Sequence, residues 1–354
     1  MNSVKSGFLK SDYSKAVFFI LLVCLVPITI IAGVIFGSAD ITAAEVLGVT
    51  ANKLFGIESV SISEARTAII WDLRIPRILL ALAVGGGLAV CGAVMQAVTQ
   101  NVLAEPYILG VSSGASAMVA LAYFVGIHKI EFFSYTGNAV QIFAFVGALI
   151  SLLLVYGVGA TERSGTTNHL ILAGMAVSVM LNALTNFLIS ILPNDSSLKN
   201  VINWMWGSLA SARWSNIHLP SVVSLIGLIF FLSLSNSYNL ISLGRETAVS
   251  LGVNTRLVTK VTLFAVAFVT GVFVSYCGLI GFVGFIIPHT VRLLVGSEHK
   301  RLLIFTYMLG AVFLGIMDIF SRNLFAPREI AIGIFSAFVG APFLVFLLTG
   351  KSRR

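Results

Sequence analysis

The chain has 354 residues, of which 58% are hydrophobic and only 10% are charged. Soluble globular proteins carry about 25% charged residues, so these values exclude a soluble enzyme of this size. A membrane-spanning helix needs about 20 apolar residues, and the sequence can therefore supply about ten spans without leaving room for a large soluble domain. We predict a single all-α polytopic membrane domain over residues 1–354.

Ten apolar runs, each bounded by polar clusters, follow one another along the chain. They lie near residues 17–37, 77–98, 106–126, 138–160, 169–192, 217–236, 260–280, 282–297, 302–320 and 330–349. The predicted membrane-spanning region is therefore 17–349. The seventh and eighth runs are almost continuous, but Gly278, Gly281 and Gly284 predict a turn between them. One helix of about 38 residues would fit no bilayer comfortably.

The distribution of charge predicts the orientation of the spans. With ten spans and an inner amino terminus, the inner segments contain 13 of the 22 basic residues but only five of the 14 acidic residues. Cytoplasmic loops of membrane proteins carry such an excess of Lys and Arg. We therefore expect a multi-pass protein with both termini in the cytoplasm. Contact with membrane lipid explains the basic composition better than nucleic-acid binding does.

The inner loop 237–260 is too polar to span the membrane, yet its apolar residues are regularly spaced. Leu243, Ala248, Leu251 and Val253 recur as in a short amphipathic helix, and Gly252 is placed as the C-terminal stop of that helix. Such a helix can insert its apolar side chains into a groove on a partner. It can equally lie flat on the lipid surface, and the spacing alone does not separate the two.

Polar residues occur inside two of the apolar runs. In the fifth run, Ser178, Asn182, Thr185 and Asn186 follow helical spacing and form one polar stripe. This stripe either lines a transport pathway or forms hydrogen bonds with neighbouring helices. In the ninth run Asp318 precedes Arg322 by four residues, and we interpret this carboxylate as holding the arginine in place rather than relaying protons.

The sequence contains no pattern typical of an enzyme or of a metal site. The motifs HExxH, CxxC and G-x-x-x-x-G-K-[ST] are absent, and the five histidines are scattered rather than spaced as metal ligands. We therefore expect no catalysis, no metal and no cofactor bound by this chain. An ion-coupled secondary transporter is one possible function for such a protein, but it would place more ionisable residues in the middle of the membrane.

Six segments resemble the FecCD-type permeases in order and spacing. They are LRIPR (73–77), CGAVMQAVTQNVLAEPYILGVSSGAS (91–116), LILAGMAVS (170–178), LGRETAVSLGV (243–253), GLIGFVGFIIPHTVRLLVG (278–296) and REIAIGIFSAFVGAPF (328–343). Val102 and Ala331 stand where the family usually has proline. The resemblance implies the type II ABC importer permease fold, in which two five-helix halves have inverted orientations.

The resemblance also implies a function and partners. Permeases of this family are membrane subunits of ABC importers in the bacterial cytoplasmic membrane. The expected substrate is a ferric siderophore, with haem or cobalamin as alternatives. The expected partners are a cytoplasmic ATPase dimer that uses ATP, an extracytoplasmic substrate-binding lipoprotein and a second permease subunit, identical or paralogous.

Individual roles follow by position from the same resemblance. The loop 237–260 becomes the coupling loop seated on the ATPase, and its expected contact residues are Gly244, Glu246, Ala248, Leu251 and Gly252. Expected docking residues for the binding protein are the outward-facing arginines Arg74, Arg77 and Arg322, whose alternative role is contact with lipid phosphates. The expected gate and pathway residues are Thr167, Asn168, Ser178, Asn182 and Asn186.

Overall fold

The computed structural model describes residues 8–9, 11–57, 62–127, 139–159 and 167–350, which contain helices and no strand. In chain order the α-helices are α1 (Asp12–Ile35), α2 (Ala43–Phe55), α3 (Glu64–Ala68), α4 (Ile75–Thr99), α5 (Val111–Val125), α6 (Ala139–Gly159), α7 (Thr167–Ser190), α8 (Asp195–Met205), α9 (Trp214–Ser233), α10 (Ser235–Ser242), α11 (Arg245–Ser250), α12 (Thr255–Cys277), α13 (Val283–Val295), α14 (His299–Asn323) and α15 (Ile332–Gly350). A π-helix, Ile69–Arg74, joins α3 to α4, and a 3₁₀-helix, Pro106–Leu109, precedes α5.

Each of the ten predicted apolar runs contains one apolar helix, but the helices are not all long enough to cross a membrane. Within the described residues seven of them are, and α5, α13 and α15 are the shorter ones. Helices α5 and α13 have 15 and 13 residues. At 1.5 Å per residue they reach about 20 Å, well short of a hydrocarbon core of about 30 Å. Seven of the ten predicted spans thus have membrane-crossing length within the described residues, and α5 and α13 do not reach that length by themselves.

Helix α4 forms the centre of the molecule and is buried along nearly its whole length. Its glycines allow neighbouring backbones to come close. A Cβ at Gly85 would collide with the carbonyl oxygen of Gly310 in α14, and a Cβ at Gly92 would collide with Gly284 in α13. Small residues at such contacts let helices pack within a membrane, where there is no hydrophobic effect to press them together.

Helices α5 and α13 begin beside the interior of neighbouring helices rather than beside their ends. Gly284 contacts Gly92, which lies seven residues before the end of α4, or about 10 Å along the helix. The carbonyl oxygen of Ile108 contacts Gly174, which lies a similar distance from the start of α7. The turn predicted between the seventh and eighth runs is present at 278–282. It lies at the same depth as the connection 100–110 and contacts it.

The two faces of the molecule carry different polar elements. At one face, here called the α11 face, α10 and α11 follow the end of α9, and Gln100 at the end of α4 donates to the carbonyl oxygen of Ile241. At the opposite face, the α2 face, helix α2 begins with a capping box formed by Thr42 and Glu45. Glu45 also pairs with Arg66 across this surface. These two faces position the candidate sites described below.

Candidate permeation, docking and coupling sites

The polar stripe predicted on α7 is present, and its members differ in exposure according to their angle around the helix. At about 100° per residue, Asn182 and Asn186 differ by about 40°, whereas Thr185 lies about 60° from Asn182 on the other side. Both asparagines are exposed, Ser178 is partly exposed, and Thr185 is buried with its hydroxyl donating to the carbonyl oxygen of Leu181 at 2.8 Å. The asparagines therefore point away from the rest of this chain.

Neither asparagine side chain makes a hydrogen bond to a residue in the described part of the chain. Interhelical hydrogen bonding within this chain therefore does not account for them. An unsatisfied carboxamide facing hydrocarbon costs several kcal/mol, roughly 2–7 kcal/mol, so a spanning helix does not present two of them to lipid without compensation. This face of α7 requires water or a second protein chain against it.

The predicted gate residues Thr167 and Asn168 are the first two residues of α7. Their side chains lie outside the described part of the structure, and their role stays a prediction. The helix they begin is the same one that carries the exposed asparagines.

The three arginines predicted to dock a binding protein are buried. Arg74, Arg77 and Arg322 are only 5%, 9% and 4% exposed. They are therefore not exposed as the expected docking role requires, and that role stays a prediction. The side chains are held by partners inside the protein, and of these pairings the sequence pattern revealed only that of Arg322 with Asp318.

Asp318 is the centre of this buried cluster and is fully buried itself. Arg77 Nε donates to Asp318 Oδ1 at 2.9 Å, and Arg77 Nη1 also pairs with Glu329 at 2.9 Å. Arg322 Nε lies 3.1 Å from Asp318 Oδ2, which confirms the predicted i,i+4 pair. Arg77 was missed as a partner because it lies 241 residues from Asp318 in sequence.

Two of the three buried arginines, Arg74 and Arg322, bind the C-terminal end of α1. Arg74 donates to the carbonyl oxygens of Val34 and Ile35, both at 2.7 Å, and Arg322 donates to that of Gly33 at 2.9 Å. The last carbonyl groups of a helix lack partners within the helix and carry partial negative charge. Two guanidinium groups therefore satisfy this helix end, and this role explains their burial.

A cleft of about 250 Å³ opens beside the cluster on the α2 face. Its lining includes the edges of the buried arginines together with Arg213 and Glu329. Glu329 is 42% exposed along its side chain, and Arg213 and Arg328 are exposed. The exposed cations here are thus Arg213, which lines the cleft, and Arg328, which precedes the lining residue Glu329 in sequence; sequence reasoning missed both. Their position beside the cleft depends on tertiary folding, so no local pattern signals it.

The predicted amphipathic helix of the loop 237–260 is present as α11. Its predicted stop at Gly252 is confirmed: Gly252 has a φ of +87°, the Gly252 N–H donates to the Val249 carbonyl, and the Val253 N–H donates to the Ala248 carbonyl. This is the Schellman arrangement that ends many helices. Gly244, with a φ of +121°, begins the helix in a conformation that side chains disfavour.

The apolar face of α11 differs from the predicted one. Ala248 is fully buried, whereas Leu243, Val249 and Leu251 are each more than half exposed, and Glu246 is exposed as well. Ala248 therefore packs against the protein and offers nothing to a partner. The helix is only six residues long, so the residues around its ends decide which apolar side chains point outward.

Comparisons with known proteins match nearly the whole chain to one family. The FecCD transport family matches residues 24–350. A cobalamin import system permease protein of Halobacterium salinarum is 35% identical over 293 residues, covering 83% of this chain and 76% of the relative. An Fe(3+)-citrate import system permease protein of Bacillus subtilis is 34% identical over 313 residues, covering 85% of this chain and 91% of the relative.

A solved structure, described as an inward-facing conformation of a metal-chelate type ABC transporter, superposes with a TM-score of 0.80. It is 30% identical in sequence and covers 94% of this chain and 99% of the compared chain. The described helices, the seven membrane-spanning lengths and the family match agree with one another. The chain therefore belongs to the FecCD transport family, a family of multi-pass ABC transporter permease subunits.

Proposed function

We propose that this chain is the membrane subunit of an ATP-driven importer that carries a ferric siderophore into the cytoplasm. The observation that carries the proposal is the exposed pair Asn182 and Asn186 on the spanning helix α7. Two carboxamides on a membrane helix need a polar or protein environment. Pairing of two permease subunits about an axis normal to the membrane would supply it, with the asparagines lining the pathway between them.

The chemistry of this stripe suits a bulky metal complex. Ser178, Asn182 and Asn186 are neutral and offer both hydrogen-bond donors and acceptors. Such groups can contact the oxygen-rich surface of a chelate without holding it as tightly as a charged side chain would. The relatives named for Fe(3+)-citrate and the metal-chelate type structure support an iron chelate. The relative named for cobalamin makes a corrinoid the alternative.

On the α11 face we propose that the coupling loop seats on a cytoplasmic ATPase dimer. Leu243, Val249 and Leu251 are the exposed apolar anchors for a groove, and Glu246 lies beside them. Gly244 and Gly252 contribute by shaping the two ends of α11. The partner supplies ATP hydrolysis. This assignment puts both termini in the cytoplasm, as the charge distribution predicts.

On the α2 face we propose that a substrate-binding lipoprotein docks over the arginine cleft. Arg213 and Arg328 provide exposed positive charge for acidic side chains of that partner. The buried arginines Arg74, Arg77 and Arg322 then contribute without touching the partner. They fix the elements that line the cleft and add to its positive electrostatic potential. A contribution of this trio by direct contact would require Glu329 to move away from Arg77.

The proposal is tested by uptake into proteoliposomes containing the permease with its ATPase and binding protein. We expect ATP-dependent accumulation of a radiolabelled ferric hydroxamate, with little accumulation of haemin or cyanocobalamin under the same conditions. Preferential uptake of cyanocobalamin or haemin would replace the substrate assignment while keeping the importer. Uptake driven by a proton or sodium gradient in the absence of ATP would support the ion-coupled alternative and refute the proposed function.

A further inference from the structure

Two side chains of the connection 100–110 bind the turn between α12 and α13, residues 278–282, here called the break. Glu105 Oε1 accepts a hydrogen bond from the Phe282 N–H at 2.7 Å. The Tyr107 hydroxyl donates to the carbonyl oxygen of Ile280 at 2.8 Å and accepts from the Ile280 N–H at 3.3 Å. Three backbone groups of the break, the N–H and carbonyl of Ile280 and the N–H of Phe282, are therefore bonded by side chains from a different part of the chain.

The break needs such partners because of where it lies. The chain reverses within residues 278–282, about 10 Å from the end of α4, where unpaired backbone groups would have no water to bind. Phe282 has a φ of +67°, which is costly for a bulky residue. Glu105 binds the N–H of this residue and also lies at the N-terminal end of α13, which favours negative charge.

The connection 100–110 is also attached to the coupling loop. The Gln100 side chain donates to the carbonyl oxygen of Ile241 at 2.7 Å. Ile241 lies in α10, three residues before Gly244, where α11 begins. One short segment, Gln100–Tyr107, therefore contacts the coupling region at one end and the break at the other.

On its far side the break is packed against the first turn of α15. A Cβ at Gly333 would collide with the carbonyl oxygens of Leu279 and Trp206, so the backbones lie in direct contact. A displacement of residues 279–282 would therefore have to move the start of α15. This contact extends the chain of interactions from the coupling loop to a second membrane helix.

We propose that Glu105 and Tyr107 are positioning residues that hold the break in place and, together with Gln100, link the coupling loop to the first turn of α15. The inference goes beyond the proposed function, since none of these residues belongs to the pathway stripe, the docking cleft or the exposed face of α11. The contacts run without interruption from the coupling loop to α15, but a link also requires that a change at the coupling loop alter the start of α15.

The positioning role is tested by hydrogen exchange and mass spectrometry on the purified full-length chain in lipid nanodiscs. Loss of a buried hydrogen bond to a carboxyl oxygen should raise exchange at the Phe282 amide by about tenfold or more in Glu105→Ala. Glu105→Gln keeps an acceptor oxygen and should retain most of the protection. Tyr107→Phe should raise exchange at the Ile280 amide.

A matched control comes from the same connection. The Asn101 side chain accepts from the Leu103 N–H at 2.9 Å and does not contact the break. Asn101→Ala should leave exchange over 278–284 unchanged. If Glu105→Ala and Tyr107→Phe alter exchange there no more than Asn101→Ala does, the positioning role is wrong. Exchange of peptides from α14 reports whether each variant is folded. If Glu105→Ala does not fold, the test uses the two milder variants: Tyr107→Phe should raise exchange at the Ile280 amide, and Glu105→Gln should retain most of the protection at the Phe282 amide.

The link is tested with Gln100→Ala, which removes the contact with Ile241 and touches no residue of the break. We expect severalfold faster exchange over both 278–284 and 332–336. An effect confined to 238–244 would overturn the link. Because these measurements need no substrate, ATPase or binding protein, their failure can be told apart from failure of the proposed importer function.

Discussion

Replacing Asp318 with alanine removes a fully buried carboxylate that pairs with two buried arginines. Arg77 would keep Glu329, but Arg322 would keep only backbone carbonyl oxygens, among them that of Gly33. Leaving a buried charge without its partner costs about 3–5 kcal/mol. With an unfolding entropy of about 2.1 cal/mol/K per residue over 354 residues, this corresponds to a fall in the melting midpoint of about 4–7 °C.

The assay is thermal unfolding of the purified chain in detergent, followed by intrinsic fluorescence. Asp12→Ala is the matched control, because Asp12 pairs with Arg301 on the surface, and its midpoint should fall by no more than about 1 °C. Arg322→Met should cost less in the Asp318→Ala background than alone, since the two groups are coupled. A midpoint for Asp318→Ala within about 1 °C of the wild type would refute the reasoning.

Three further predictions concern the coupling loop, the stripe on α7 and the α2 face. Leu251→Asp should leave the chain folded and uncouple ATP hydrolysis from uptake, whereas Ala248→Asp should lower stability because Ala248 is buried; thermal unfolding beside coupled ATPase and uptake assays separates the two. Asn182→Leu with Asn186→Leu should reduce the uptake rate with no loss of thermal stability, and a destabilised chain with normal specific uptake would contradict the pathway role. Hydrogen bonds from Thr42 and Arg66 hold the pKa of Glu45 below its ordinary value. The ionised Glu45 therefore stabilises the folded chain above the unfolded-state pKa, and this contribution is lost as the pH falls through the folded-state pKa. The difference in unfolding free energy between wild type and Glu45→Gln should accordingly shrink from pH 7 to pH 3.

Features determined by local sequence were predictable. Hydropathy located all ten apolar helices, glycine at 278 indicated the turn, and Gly252 indicated the end of α11. The pair Asp318 and Arg322 followed from helical spacing alone. Each of these depends on residues that are close together in the chain.

Features determined by tertiary contacts were not predictable from the pattern. Hydropathy does not show how much of an apolar run is helical, so the shortness of α5 and α13 was missed. Glu105 directly precedes the 3₁₀-helix Pro106–Leu109, but it binds Phe282, 177 residues away in sequence. Likewise, α1 and Asp318 bind the arginines inside the protein, although the family resemblance implied that these arginines contact a partner.

The central claim is that the face of α7 carrying Asn182 lines a polar pathway rather than contacting lipid. It is tested most directly by labelling Asn182→Cys with a membrane-impermeant maleimide in nanodiscs, in a Cys24→Ser background because Cys24 is exposed. Leu225→Cys on α9 is the control, since this exposed apolar side chain lies on a helix of membrane-spanning length. The account predicts rapid labelling of Asn182→Cys and slow labelling of Leu225→Cys, whereas equally slow labelling of both would contradict it.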